Sequence, residues 1–379
     1  MITKRTTQLF LLFVFFFTIG KSQITLPPSG GNQKSIVTQY IGAIAHVSVI
    51  YNSPDVTASN GQDRKGQIWG QLVPYEMAPN NFGSAKEIPW RAGANENTII
   101  KFSHDVKVQG KTLKAGKYGL HMIPKESGAW TLIFNKNTSA WGSYFYDEAD
   151  DALRVEATPE KSDYTEWLTY EFTDRQAEST VLALKWENLQ IPFKIELPDA
   201  KELYVETIRD ELKGSTGFQY QAWVSAVNYC VSNDVNLEEA LVWADNAISA
   251  PFIGQENFTT LSTKAAVLNK LNRGAEAVAT MDKAVKHATA TSFQIHQFGR
   301  QLIGLGQKEK ALEIFQYNAE RFGEAWPTHV GLARGYSAVG QYDKAFKHAK
   351  LAHGQAPDQL NKDSLASMME KLQKKQDVN

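Results

Sequence analysis

A front half built of β-strands followed by a rear half of stacked helix pairs is the fold class the sequence predicts. Three observations carry it. Apolar and polar residues alternate with period two from residue 35 to about residue 197. Pro198 and Asp199 then end that pattern, and the chain becomes rich in alanine with helical spacing. Within the helical part, small residues recur 34 positions apart at Ala277, Ala311 and Ala345, a period of the length that marks helix-pair repeats.

In the front half, residues 46–51 (HVSVIY) place Val47, Val49 and Tyr51 on one face and His46, Ser48 and Ile50 on the other, before Asn52-Ser53-Pro54-Asp55 turns the chain. Further strands are expected at 98–102 and 106–108, with a tight turn at Gln109-Gly110, and then at 116–123, 130–134, 153–157, 166–172, 181–186 and 189–195. Pro192 has no backbone N–H, so it marks the last of these as an edge strand or a bulge. About ten short strands with frequent turn signals and no intervening helical periodicity predict an antiparallel β-sandwich or a flattened barrel.

In the rear half, residues 307–315 (QKEKALEIF) realign with 341–349 (QYDKAFKHA), and Gly306 with Gly340. One step back lie residues 276–284 (EAVATMDKA), and a fainter unit covers 238–247 (EEALVWADNA). The small residue lets two helices approach closely, and the glycine ends the first helix of each pair. The last unit carries Leu332, Ala333, Gly335-Tyr336, Gly340, Ala345, Ala352 and Pro357, and on these residues the rear half resembles the tetratricopeptide family. Asn318 stands where a second alanine is usual, Gly323 where a proline is, and Gly274 lies two residues closer to its small residue, Ala277, than is usual. The resemblance implies an α-solenoid with a concave face that binds peptides or protein surfaces. Residues 363–373 have the spacing of a capping helix.

Lys4 and Arg5 precede the apolar run 9–19 (LFLLFVFFFTI) and Gly20-Lys21-Ser22, the signature of a secretory signal peptide cleaved after Ser22. The expected organisation is a signal peptide at 1–22, a leader at 23–34, a strand domain at 35–197 and a helical domain at 198–379. The expected address is the periplasm or the exterior. Of the 40 basic side chains three lie in the signal, which leaves 37 against 41 acidic ones. No basic tract remains to favour nucleic acid, and run 9–19 is shorter than the ~20 residues of a stable membrane span. Cys230 is the only cysteine, so no internal disulfide is possible.

A second resemblance covers roughly residues 35–197. It rests on Ser53-Pro54, Ile68-Trp69-Gly70, Leu72-Val73-Pro74-Tyr75, residues 90–96 (WRAGANE) and residues 115–120 (AGKYGL). Ile133-Phe134-Asn135-Lys136, Trp141-Gly142, Tyr146-Asp147, Glu166-Trp167 and Tyr170-Glu171-Phe172 complete the set. Together these resemble the bacterial domain of unknown function 2911, found mostly in exported proteins. Residues 77–88 form a longer link than the family's usual one. The resemblance implies no activity and no catalytic residues.

Candidate sites follow from side-chain chemistry. Arg91, Asn95 and Glu96 offer a guanidinium for an anion, an orienting amide and an acceptor or base; the alternative is a loop clamp in which Arg91 pairs with Glu96. His104, Asp105, His121 and Glu96 are of metal-ligand type but lack H-x-x-x-H or H-E-x-x-H spacing. Asp147, Glu148, Asp150 and Asp151 are clustered oxygen donors without the calcium-loop pattern. Trp69, Trp90 and Trp141 sit at turns and are candidates for sugar stacking, whereas Trp130 and Trp167 lie on strands and are expected in the core. On the helical side His329, Arg334 and Tyr336 are expected on the concave face, and His287, His348 and His353 in solvent. There is no G-x-S-x-G and no glycine-rich phosphate loop, and no metal or cofactor is expected. The reading is therefore an exported binding or scaffold protein. Its partner is expected to be another envelope protein or a peptide on the repeats, with a small molecule or glycan possible on the sandwich, no nucleic acid and no stable membrane insertion. The alternatives are an exported hydrolase with a polar cleft around Arg91 and Glu96, joined by His104 or His121, and a carbohydrate-binding protein using the turn tryptophans.

Overall fold

The structure, a computed structural model, describes residues 32–379. The expected signal peptide and nearly all of the expected leader lie outside the described residues. Contacts divide the chain into two units that meet between Pro198 and Asp199.

The first unit has two main sheets. β1 (Gln33–Ile41), β2 (Ala45–Ser53), β5 (Ile99–Phe102), β8 (Gly116–Ile123), β9 (Trp130–Asn135) and β10 (Asp151–Ala157) form one, in that order. β11 (Glu160–Thr173), β12 (Ser179–Glu196), β6 (Val106–Val108) and β7 (Lys111–Leu113) form the other. A two-stranded ribbon, β3 (Ala78–Pro79) and β4 (Glu87–Ile88), occupies the long 77–88 link. Every pairing between these strands is antiparallel. Neither large sheet closes on itself, so the fold is a sandwich and not a flattened barrel.

The two layers meet through inward side chains. Tyr51 of β2 packs edge-on against Tyr170 of β11 at 4.8 Å, and Phe134 of β9 against Phe193 of β12 at 6.3 Å. Val47, Val49 and Tyr51 are buried, as the alternation in this strand requires. Gln33 and Lys34, expected in the leader, instead open β1, whose register against β2 runs from Gln33–Ser53 to Ile41–Ala45. The two strands expected at 181–186 and 189–195 are one, bent at Glu187, whose φ is +55°. Pro192 lies neither on an edge strand nor where a ladder N–H is needed. β12 pairs with β11 as far as Gln190 and with β6 from Ile195, and Pro192 falls between.

The second unit is ten helices. α1 (Ala200–Glu211) precedes four antiparallel pairs, and α10 (Gln359–Gln373) closes the stack. The pairs are α2 (Tyr220–Asn233) with α3 (Leu237–Ser249), α4 (Phe258–Lys270) with α5 (Gly274–Lys286), α6 (Ser292–Gly304) with α7 (Lys308–Phe322), and α8 (Trp326–Ala338) with α9 (Tyr342–Gln355). First helices of successive pairs also touch, α2 with α4 and α6 with α8, which is the tetratricopeptide arrangement.

The repeat is legible in burial. Ala240, Ala277, Ala311 and Ala345 are all buried, as are Ala247, Ala284, Asn318 and Ala352 at the second small position. Asn318 keeps its place by donating Nδ2–H to the Ser292 carbonyl at 3.0 Å, which ties α7 to the start of α6. Gly306 and Gly340 turn between helices at positive φ; in the earlier pair the slot 34 residues before Gly306 is Asn272, at φ +60°, while Gly274 opens α5. Asparagine tolerates the left-handed region better than most residues, so Asn272 makes the turn that glycine makes in the two later pairs. Phe315 shows why these helices sit so close. A methyl group placed at Gly299 of α6 or Gly331 of α8 would lie 2.6 Å from its ring.

Candidate functional site

The stretch 54–98, between β2 and β5, has almost no regular structure yet carries a buried core of its own: Val56, Ile68, Val73 and Ala92. Its backbone groups are satisfied by the sheets they cover. Val56 N–H reaches Glu166 O at 2.9 Å, Glu76 N–H reaches Pro124 O at 2.8 Å, and Trp90 exchanges two 2.8 Å bonds with Met122 of β8. The Ala92 carbonyl accepts from Tyr170 Oη at 2.8 Å and Thr98 Oγ1 at 3.1 Å, which holds Ala92 at φ +48°.

Within this frame Arg91, Asn95 and Glu96 do not converge. Arg91 donates Nη1–H to the Asn95 carbonyl at 2.7 Å and lies 5.1 Å from the Tyr144 ring. Its guanidinium is covered by Gly142, where a methyl would stand 2.3 Å from Arg91 Cζ. Glu96 points elsewhere: it accepts from Asn52 Nδ2 at 2.6 Å and faces Lys34 Nζ at 3.8 Å. Asn95 Oδ1 accepts from Asn32 Nδ2 at 3.3 Å. Among the described residues Arg91 and Glu96 form no ion pair, the contact expected of a clamp. Arg91 instead caps its own loop against the segment 141–146.

Beneath that loop, on β8, His121 is buried with Nδ1 2.8 Å from Ser143 Oγ and its ring 5.6 Å from Tyr146. Burial, reinforced by the positive charge of Arg91, pushes its pKa down to about 3, so the ring is neutral at pH 7. His104 pairs with Ser103 Oγ at 2.9 Å, and Asp105 is held by Lys114 Nζ and Ala115 N–H, both at 2.8 Å. Among the described residues no three His, Cys, Asp or Glu side chains gather as a metal set. The acidic run has structural partners. Asp147 caps a short helical turn through Ala149 N–H, and Asp151 accepts from Arg154, Tyr146 and Asn135.

The tryptophans form a cluster. Trp69 meets Trp90, Trp130 and Trp186 edge-on at 5.7, 5.1 and 5.8 Å, and Trp90 stacks on Trp186 at 6.4 Å. Of the three tryptophans at turns, Trp69 and Trp90 belong largely to the interior. Trp141 is exposed, and Trp167, expected in the core, is exposed too because Leu168 takes the inward position on β11. One opening reaches the cluster: a cavity of about 290 Å³ bordered by Trp69, Tyr75, Lys125, Glu126 and Trp130. Trp69 Nε1–H is buried without a hydrogen-bond acceptor among the described residues.

Residues 32–195 match the model of a family described as a protein of unknown function, DUF2911. The comparison with curated proteins returns no match. Among solved structures, similarity falls on tetratricopeptide proteins. YrrB, described as a TPR protein with an unusual peptide-binding site, is 17% identical, with 45% of this chain and 86% of that one covered and a TM-score of 0.32. A tetratricopeptide repeat protein from Parabacteroides merdae is 18% identical, covering 46% and 68%, at 0.34. MamA from Desulfovibrio magneticus RS-1 is 16% identical, covering 42% and 95%, at 0.30. The repeat assignment itself rests on the helix packing described above.

On the helical unit, His329, Arg334 and Tyr336 do not share one surface. His329 is buried, with Nδ1 3.1 Å from Nδ1 of His348 on α9. His348, expected in solvent, is stacked on Tyr336 at 5.5 Å. Arg334 lies on a neighbouring face of α8 with Trp326, Val330 and Ser337, positions spaced to fall along one stripe. This stripe faces α6 across a groove of about 480 Å³ whose lining includes Phe293, His296, Arg300, Trp326, Pro327 and Val330. Ser292 Oγ, His296 Nδ1 and Trp326 Nε1 are buried beside it with no hydrogen-bond partner among the described residues. Burial and the charges of Arg334 and Arg300 lower the His296 pKa to about 4. The sequence held a signal for this groove. Ser292 and Trp326, His296 and Val330, and Arg300 and Arg334 are each 34 residues apart and occupy the same slots of consecutive repeats.

Proposed function

We propose that the chain is an exported scaffold whose helical repeats dock another envelope protein through the groove between α6 and α8. The observation that carries this reading is the groove itself: an open apolar trough on a repeat stack, with Phe293 67% exposed and polar groups left without partners. Unpaired buried polar groups are uncommon in folded proteins, and a docked chain supplies the missing partners. The signal-like pattern at 1–22 supports an exported address, and the tetratricopeptide arrangement supports a protein partner.

The test is crosslinking of the full chain lacking residues 1–22 to envelope extract, with the crosslinked sites mapped by mass spectrometry. Partner crosslinks are expected on α6 and α8. Crosslinks confined to residues 32–198 would place docking elsewhere and overturn the proposal.

A second reading concerns the strand unit, where the cavity beside Trp69 and Tyr75 offers an aromatic floor and an indole N–H lacking an acceptor. Such a surface suits a sugar ring. Oligosaccharide titration is expected to quench tryptophan fluorescence saturably in the wild-type chain but not in a Tyr75→Ala variant. Equal quenching of both, or none in the wild type, would remove this reading.

A further inference from the structure

Arg300 lines the groove, Arg334 holds the same slot of the next repeat near enough for the two charges to act on each other, and among the described residues neither forms an ion pair. Arg300 is exposed and, among the described residues, makes no hydrogen bond. Arg334 is half-buried and donates only to the Val378 carbonyl, at 3.4 Å. Burial and the charge of Arg300 pull the Arg334 pKa down, partly opposed by Asp377.

What lies beside Arg334 is informative. Residues 377–379 return along α8. Asp377 Oδ1 accepts from Ser337 Oγ at 2.9 Å, Val378 N–H donates to Ser337 Oγ at 3.1 Å, and Asn379 Nδ2–H donates to the Arg334 carbonyl at 3.1 Å. Val378 packs against the same apolar cluster as Trp326 and Val330. The chain thus places an acid and an apolar side chain beside Arg334, held through main-chain and hydroxyl contacts. The trough beyond it, lined by Phe293, Trp326 and Pro327, is left open.

From this juxtaposition we infer that the groove takes a peptide segment of a partner protein carrying a large apolar side chain and, a few residues away, a carboxylate. The apolar side chain fills the trough between Phe293 and Trp326, the carboxylate reaches Arg300 and Arg334, and residues 377–379 compete for the second of these. Charge complementarity selects the acid: two guanidiniums with no ion-pair partner among the described residues, only one of them near an acid, Asp377, favour an anion and disfavour a lysine or arginine there. The unpartnered groups of Ser292, His296 and Trp326 offer hydrogen bonds to the docked main chain after small side-chain adjustments. This inference rests on the docking function proposed above and narrows it to one ligand chemistry.

Fluorescence anisotropy with the full chain lacking residues 1–22 provides the test. The probe is a fluorescein-labelled decapeptide of glycine and serine with one phenylalanine and an aspartate three residues after it. Saturable binding is expected. It should weaken roughly tenfold, as expected for loss of a charge-assisted contact, when Arg300 is changed to Ala or the probe's aspartate to asparagine. Replacing the probe's phenylalanine with serine should abolish binding. Asp377→Ala, which frees the end segment from Ser337, should strengthen binding several-fold. Far-UV circular dichroism confirms that each variant is folded. Binding unaffected by Arg300→Ala and by the asparagine probe, or no saturable binding by either the wild type or Asp377→Ala, would overturn the inference. If the probe fails while crosslinks still map to α6 and α8, docking stands and only this ligand class is lost.

Discussion

Trp186→Ala is expected to destabilise the strand unit by about 3–5 kcal/mol, the range for removing a fully buried large aromatic side chain. Trp186 is 1% exposed and stacks on Trp90 at 6.4 Å, with Trp69 edge-on at 5.8 Å. Its indole N–H has no hydrogen-bond partner, so the substitution breaks no polar contact and the loss is one of packing and of the void left behind. That void cannot close easily. Trp90 is fixed by its backbone pairing with Met122, and Trp130 is tied through its own indole N–H to the Lys125 carbonyl at 3.0 Å. Urea denaturation followed by near-ultraviolet circular dichroism reads the effect, because four neighbouring indoles dominate that signal. A shift worth less than about 1 kcal/mol, the level of a surface substitution, would show that the four rings do not form the packed centre described here.

How far this centre was legible in the sequence depends on the distance over which its parts meet. Local periodicity was enough for Val47, Val49 and Tyr51, because a strand's own alternation decides which side chains turn inward. It was also enough for Ala277, Ala311 and Ala345, since the repeat period places each at a helix crossing. It could not decide among Trp69, Trp90 and Trp141, of which only Trp141 is exposed. The first two sit among turn residues, where exposure is the ordinary expectation, but the 54–98 segment folds back over the sandwich and delivers them to Trp130 and Trp186. The same limitation separated Arg91 from Glu96. Five residues apart in sequence, they were expected to act together, yet Glu96 is claimed by Asn52, 44 residues away. Long-range pairings of this kind leave no periodic trace. The groove between α6 and α8 is an intermediate case: its arginines recur at the repeat spacing, but the spacing alone does not say which face of the helix they occupy.

Acid is expected to destabilise the strand unit through His121. Unfolded, this imidazole has a pKa of 6.5; folded, burial and the Arg91 charge lower it to about 3. Between those values the unfolded chain binds one more proton than the folded chain, so stability rises with pH across the window. The contribution is complete above pH 6.5 and declines as the pH falls towards 3. At about 1.4 kcal/mol per pH unit the loss by pH 4.5 is about 3 kcal/mol. The groups facing the ring are Ser143 on Nδ1, the edge of Tyr146 and the Arg91 guanidinium, none of which stabilises an imidazolium by its charge. Denaturation midpoints at pH 7 and 4.5 measure the total slope. His121→Asn, which keeps a polar atom near Ser143, isolates the share due to this residue by flattening the slope. Arg91→Met should raise the folded pKa by removing the second of its two causes, so that the window narrows from its acid side while burial keeps it open. Proton NMR of the His121 ring supplies the direct readout: its resonances should stay constant from pH 8 to pH 5 in the folded protein. A ring that titrates near 6.5 would mean that water reaches it, and the closure of the Arg91 loop over β8 would then have to be abandoned.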